Sequence, residues 1–155
     1  MVVVAADWSL LARIGVGFAL AFAIGFEREI RDSPAGARTF ALIGVATAAL
    51  TAVLYKSSPQ GLAGVIIGVG FIGAGVVFHT GNTFVRGVTT ASAIYATAAI
   101  GVVVGTGRLV VGVVTAAGVL LILELQNIPG LRRLDARRYR ERFRNDDDPP
   151  SPMYS

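Results

Sequence analysis

The sequence predicts an all-α, polytopic membrane protein with five transmembrane helices. Three observations point there: long apolar runs broken by short polar connections, almost no charge inside the runs, and small residues recurring within them at helical spacing. Hydrophobic residues fill 54% of the 155 positions and charged residues 15%, and mean hydropathy is +0.65. Half of the 14 basic residues follow Leu131, so the preceding stretch is more apolar still. A soluble fold would have to bury both faces of nearly every element, which roughly 130 residues cannot do.

The five apolar segments run over about 10–26, 40–55, 62–78, 88–105 and 109–125. Each lies near the lower end of the roughly 17 to 25 residues that cross hydrocarbon. The opening residues lack the basic region of a secretory signal, so the first segment reads as a retained span with Trp8 at its outer edge. The connections, 27–39, 56–61, 79–87 and 106–108, are marked by charges and turn formers. The last is so short that spans four and five should be antiparallel neighbours.

Five spans place the two ends on opposite sides of the bilayer. Arg28, Arg31, Arg38 and Arg86 fall with the C-terminus, while Arg13, Lys56 and Arg108 fall on the other side. The positive-inside rule then predicts N-out, C-in. Residues 1–128 are thus expected to form the transmembrane domain and 129–155 a cytoplasmic tail. In that tail Leu131, Leu134, Tyr139 and Phe143 partly follow helical spacing among arginines, the pattern of a basic amphipathic helix on anionic lipid, before a disordered end from Asp146. The expected partner is therefore the lipid bilayer, and not nucleic acid.

Absence of cysteine removes disulfides, thiol catalysis and cysteine-held metals. No nucleophile–base set, metal-ligand cluster or pair of intramembrane carboxylates can be assembled, so neither an enzyme nor a cofactor nor a bound metal is expected.

Membrane helices associate through close contact at small residues. The third span offers Gly61, Gly64, Gly68 and Gly75, with Gly70 and Gly73 on other faces, and the fourth offers Thr89, Ala93, Thr97, Gly101 and Gly105 in steps of four. The second carries Ala41, Gly44, Ala48 and Ala52. These are read as packing faces, which also suit a homodimer. The alternative is that Gly68 to Gly75 opens the helix backbone toward an ion or substrate, as broken helices do.

The largest concentration of charge near the membrane is Glu27-Arg-Glu-Ile-Arg-Asp-Ser-Pro-Ala-Gly-Ala-Arg-Thr39. Glu29, Arg31 and Asp32 read as solvated loop residues. Glu27 and Arg38 directly border apolar spans, where a lone charge is costly and a pair acceptable. Both readings stay open: interfacial charges, or a pair of Glu27 with Arg38 or Arg86. Arg13 is expected to snorkel to the outer interface. Thr89, Thr90, Ser92 and Thr97 are expected to hydrogen-bond within their helix or across to another.

Three blocks occur in order: Gly25 to Thr39 followed by Ala41-Leu-Ile-Gly44, then Gly70-Phe-Ile-Gly-Ala-Gly-Val-Val-Phe78, then Arg86-Gly-Val-Thr-Thr-Ala91 with Ala96-Thr-Ala-Ala-Ile-Gly101. With them the chain resembles the MgtC/SapB family of bacterial membrane proteins over about residues 10–125. Glu27, Arg28, Glu29, Pro34, Gly36, Arg38 and Thr39 match the pattern of that family. Phe40 stands where a histidine is usual, Tyr95 where a tryptophan is usual, and Ser92 and Ala93 are exchanged.

The resemblance implies a functional polar cluster of Glu27, Arg28, Glu29, Arg38, Thr39, Arg86, Thr89 and Thr90. It also implies a protein of the bacterial inner membrane, linked to growth under magnesium limitation, that modulates another membrane machine such as an ATP synthase or ion pump. Members with the best-known role add a C-terminal soluble domain of the ACT type, for which the tail here is too short. The competing expectation is a small ion transporter or channel with a polar cytoplasmic mouth.

Overall fold

The computed structural model describes residues 2–78 and 87–124, which form five helices: α1 (Val2–Ile30), α2 (Ala37–Leu54), α3 (Pro59–Phe78), α4 (Val88–Gly105) and α5 (Leu109–Glu124). The chain divides into two units, Met1–Leu120 and Leu121–Ser155. The bundle described here belongs to the first, and the expected tail at 129–155 lies outside the described residues.

Four helices are long and apolar enough to cross a membrane, over Asp7–Ile30, Ala37–Leu54, Gln60–Val77 and Val88–Gly105. The fifth, α5, is apolar, with 16 described residues that rise about 24 Å at 1.5 Å per residue. The first helix is longer than expected at 29 residues. It carries Glu27 to Ile30 as a last helical turn, because these residues tolerate a helix well and the stop signal comes only at Asp32 and Pro34.

Interior and exterior are sorted by size in the sense a bilayer favours. The buried positions are mostly alanine, glycine and threonine, with Phe40, Ile24, Ile94, Ile100 and Val104 as the largest fully buried side chains. Large apolar residues stand outside, among them Phe71 at 83% and Ile67 at 73% exposure. Where the surroundings are hydrocarbon there is no advantage in burying large side chains, and small ones let backbones approach.

The central helix is α2, packed against α1, α4 and, more loosely, α3. Against α1 the register is antiparallel, Gly17 meeting Ala48, Ala21 meeting Gly44 and Gly25 meeting Phe40. A Cβ on Gly17 would lie 2.8 Å from the Ala48 methyl, and one on Gly44 would lie 2.7 Å from the Gly17 carbonyl oxygen. Against α4 the register is parallel, Gly101 lying on Thr47 and Gly105 on Thr51 and Ala48. The stripes expected on α2 and α4 are thus packing faces: Ala93, Thr97, Gly101 and Gly105 are buried, as are Ala41, Gly44, Ala48 and Ala52, while Thr89 is exposed.

The glycines of α3 depart from expectation. Gly61 meets α2, its Cβ position lying 3.1 Å from Leu54 Cδ1, and Gly73 meets α4, its Cβ position lying 3.6 Å from the Ala91 carbonyl oxygen, whereas Gly64, Gly68, Gly70 and Gly75 have nothing within 4 Å. They are not contact points within this chain, because α3 leans on α4 and diverges from α2. Nor do they open the backbone, since α3 is a continuous helix from Pro59 to Phe78.

Candidate functional site

At one end of the bundle the α1–α2 connection folds into a fixed shape. Asp32 adopts the left-handed conformation, φ 53°. The Ser33 N–H donates to the Arg28 carbonyl at 3.1 Å and the Asp32 N–H to the Glu29 carbonyl at 3.1 Å. This pair of bonds is the Schellman closure of a helix C-terminus, and aspartate is among the few non-glycine residues that tolerate its left-handed position. Pro34 then prevents the helix from resuming.

The turn brings α1 back onto the start of α2. A Glu29 carboxylate oxygen accepts the Ala37 N–H at 2.8 Å, a charge-assisted bond to one of the free donors of the first turn. The residue before the helix is Gly36, with no side chain to cap it. A Cβ there would stand 2.7 Å from the same oxygen, so glycine leaves the place that glutamate fills. Glu29, read as a solvated loop residue, instead caps α2, a role with no short-range capping pattern to announce it.

Glu27 is the most enclosed charge of the cluster, its side chain only 10% exposed. Its partners follow it closely in sequence: Arg28 Nη1 at 3.6 Å and, one residue past the end of α1, Arg31 Nε at 3.3 Å. Neither carboxylate oxygen has a hydrogen-bond partner among the described residues, and Arg28 Nε is likewise buried without one. The pair of Glu27 with Arg38 does not form, because Arg38 sits in the first turn of α2 and is exposed, while arginines one and four residues on reach Glu27 from α1 and the turn that follows it. Arg86 lies outside the described residues.

Among the threonines, Thr39 is half-buried and Thr90 is buried. The hydroxyls of Thr90 and Ser33 share a hydrogen bond of 2.7 Å, tying the α1–α2 connection to the start of α4. Ser33 was not singled out by sequence; nothing local distinguishes it from the turn residues around it. The hydroxyls of Thr97 and Thr51 are buried without a hydrogen-bond partner among the described residues, against the expectation for Thr97. Both are fully buried, and Thr51 presses its Cβ on the space beside Gly105.

At the opposite end Arg13 does not stand free at an interface. Its Nη1 donates to the Gly105 carbonyl at 3.2 Å, one of the carbonyls left over at the end of α4. Gly107, φ 92°, closes that helix with a second Schellman turn, its N–H donating to Val104 at 2.8 Å and that of Arg108 to Val103 at 3.3 Å. The Lys56 ammonium lies 5.5 Å from the centre of the Tyr55 ring, and Arg13 reaches the Tyr55 hydroxyl.

A profile described as the MgtC family matches residues 14–128. The chain belongs to the MgtC family. Among its relatives are Protein MgtC of Brucella abortus, 40% identical over 64% of this chain and 45% of the relative, and Protein SapB of Bacillus subtilis, 33% identical over 65% and 49%. A third, YhiD of Escherichia coli K12, is named as a candidate magnesium transporter and is 39% identical over 75% of this chain and 57% of its own length. The chain thus spans about half the length of these curated relatives. No solved structure matches it.

Within an MgtC-family chain the match covers both polar and packing features described above. Phe40, at the position where the family resemblance implies a histidine, is fully buried and packs on Gly25. Phe40 thus brings no imidazole to the neighbourhood of Arg38, and among the described residues the site's polar chemistry rests on carboxylate, guanidinium and hydroxyl groups.

Proposed function

We propose that this MgtC-family protein is a non-enzymatic, multi-pass protein of the bacterial inner membrane, oriented N-out and C-in, that modulates a transport or energy-converting machine during growth under magnesium limitation. The observation that carries this reading is the open glycine on the α4-facing flank of α3, Gly70, one of a set with no neighbour in this chain. Gly64, Gly68, Gly70 and Gly75 meet nothing within 4 Å, yet each costs an isolated helix about 1 kcal/mol relative to alanine. Glycines unused inside the chain serve contacts outside it. The side of α3 that faces α4, where Gly70, Ala74, Ser92 and Tyr95 line a cleft of about 390 Å³, is the surface for a second copy or for an ATP synthase or ion pump.

The test is affinity capture of tagged protein from gently solubilised membranes of magnesium-starved cells, with Gly70→Leu as the control. Near-stoichiometric recovery of an ATPase or pump, lost in the control, is the expected result. Recovery of the protein alone overturns the modulator.

A second reading is transport, favoured by the shielded Glu27 carboxylate and by the name of the YhiD relative. Under it, Glu27→Gln alters cation or proton flux in reconstituted vesicles without changing assembly. Vesicles dense in protein that move neither exclude it.

A further inference from the structure

An open cleft of about 640 Å³ separates α2 from α3, lined by Leu42, Ala46 and Leu50 on one side and Gly61, Gly64 and Gly68 on the other, with Thr47 among its few polar neighbours. Thr47 offers it no donor, since its O–H is given to its own helix at the Ile43 carbonyl, 2.7 Å away. The cleft is therefore apolar along its length. Its volume falls within the roughly 300 to 1,000 Å³ typical of ligand sites.

The cleft itself is lined by no charged residue, but a charge stands one helical step beyond it. Leu42, Ala46 and Leu50 succeed one another at four-residue steps on a single face of α2, and the position one step earlier on that face is Arg38. Arg38 is exposed, and no acidic group pairs with it among the described residues: Glu29 is committed to Ala37, and Glu27 to Arg28 and Arg31. From Arg38 to Leu50 the helix rises about 18 Å, close to the roughly 15 Å of hydrocarbon in one leaflet. A guanidinium at headgroup depth above an apolar trough one leaflet deep has the polarity of an amphiphile with an anionic head.

We infer that the α2–α3 cleft is a binding site for an anionic phospholipid, its phosphate on Arg38 and an acyl chain lying along Leu42, Ala46 and Leu50 against Gly64 and Gly68. The geometry explains why α3 carries glycine on this side. Side chains there would meet no protein atom, but would fill the trough. Guanidinium geometry suits a phosphate, which it can hold by two parallel hydrogen bonds. The assignment does not depend on the modulator reading, whose contact surface lies on the other flank of α3.

Native mass spectrometry of the full-length chain, incubated in micelles with phosphatidylglycerol or with phosphatidylcholine of identical acyl chains, tests it. Wild type should retain phosphatidylglycerol about fivefold over phosphatidylcholine, the factor corresponding to about 1 kcal/mol per basic residue at a membrane surface. Arg38→Gln should bind the two lipids equally, Gly68→Leu should release both, and Gly70→Leu should behave as wild type. Circular dichroism confirms that each variant is folded; if Gly68→Leu loses helicity, Gly64→Leu, equally open at its Cβ, replaces it. Equal retention of both lipids by wild type, an undiminished preference in Arg38→Gln, or unchanged retention in folded Gly68→Leu overturns the site. So does capture of inorganic phosphate alone, or a lipid-free dimer that Gly68→Leu converts to monomer, which would give the cleft to a second copy.

Discussion

Glu29 on α1 caps α2 through the backbone N–H of Ala37, at 2.8 Å, across a connection closed by a Schellman turn. The carboxylate does for α2 what an N-cap side chain normally does, and adds a negative charge at the positive end of the helix dipole. Removing it leaves the first turn of α2 without that acceptor beside the apolar phase. Glu29→Ala should therefore lower stability by about 1 kcal/mol, within the range of about 0.5 to 2 for cap removal. Glu29→Gln, which keeps an acceptor oxygen without the charge, should cost less. Thermal unfolding in detergent, read by helical circular dichroism, distinguishes the three proteins, and equal midpoints would remove the cap from the account.

Glycine positions should separate into two classes. Gly44 on α2 faces Ala21 and the Gly17 backbone, and Gly101 on α4 faces Thr47, so any side chain there meets packed atoms. Gly44→Val and Gly101→Leu should each destabilise by about 1 to 3 kcal/mol or more, the cost of overpacking. Gly68→Leu and Gly75→Leu enter open space and should not destabilise, gaining up to about 1 kcal/mol from the better helix former. Because Gly101 is committed inside the chain, its substitution tests folding; only the open glycines of α3 test partners. A detergent melting series over the four variants would show the split, and a loss at Gly75→Leu as large as that at Gly44→Val would refute it.

That split marks where sequence reasoning stopped. Spacing in steps of four identified the faces of α2 and α4, because a helix turns small-residue periodicity directly into a contact stripe. The same spacing on α3 was legible as a glycine face but not as one directed away from the protein, since protein and lipid neighbours place the same demand on residue size. On α1 the contact stripe Gly17, Ala21, Gly25 went unnoticed beside the phenylalanines of another face, Phe18, Phe22 and Phe26, which stack on one another with ring centres 5.8 and 6.2 Å apart. Charges were harder still. The family resemblance marked Glu27 and Glu29 without distinguishing a side chain held by its own helix from one that caps the next.

Ser33 and Thr90 give the α1–α2 connection its link to α4, through a single hydroxyl–hydroxyl bond of 2.7 Å. Thr90 is 2% exposed, so removing Ser33 leaves a buried hydroxyl without that partner. Ser33→Ala and Thr90→Val should each destabilise by about 1 to 2 kcal/mol, and the double variant should cost less than their sum, with a coupling of about 0.5 to 1.5 kcal/mol. A double-mutant cycle in detergent provides the measurement. Strict additivity would mean that the two hydroxyls stabilise the bundle independently of each other.

The far end of the bundle should report on pH through Tyr55. Its partial desolvation opposes ionisation, but hydrogen bonds and positive charge from Lys56 and Arg13 outweigh that, so the phenol ionises below its usual value of 10.0. An acid whose pKa is depressed by folding loses its proton first in the folded chain. The stability it contributes is absent below the folded pKa, grows as pH rises through that value, and is complete above the unfolded value. Wild type should thus gain stability on the alkaline side relative to Tyr55→Phe, while the two melt alike near neutrality. Arg13→Gln should raise the pH at which Tyr55 ionises, because it removes one of the two cations that favour the phenolate. Tyrosinate absorbance against pH, taken as the difference between each protein and its Tyr55→Phe counterpart, reads this directly. A Tyr55 titration unmoved by Arg13→Gln would detach the arginine from the phenol and leave the Gly105 carbonyl as its sole partner at this end.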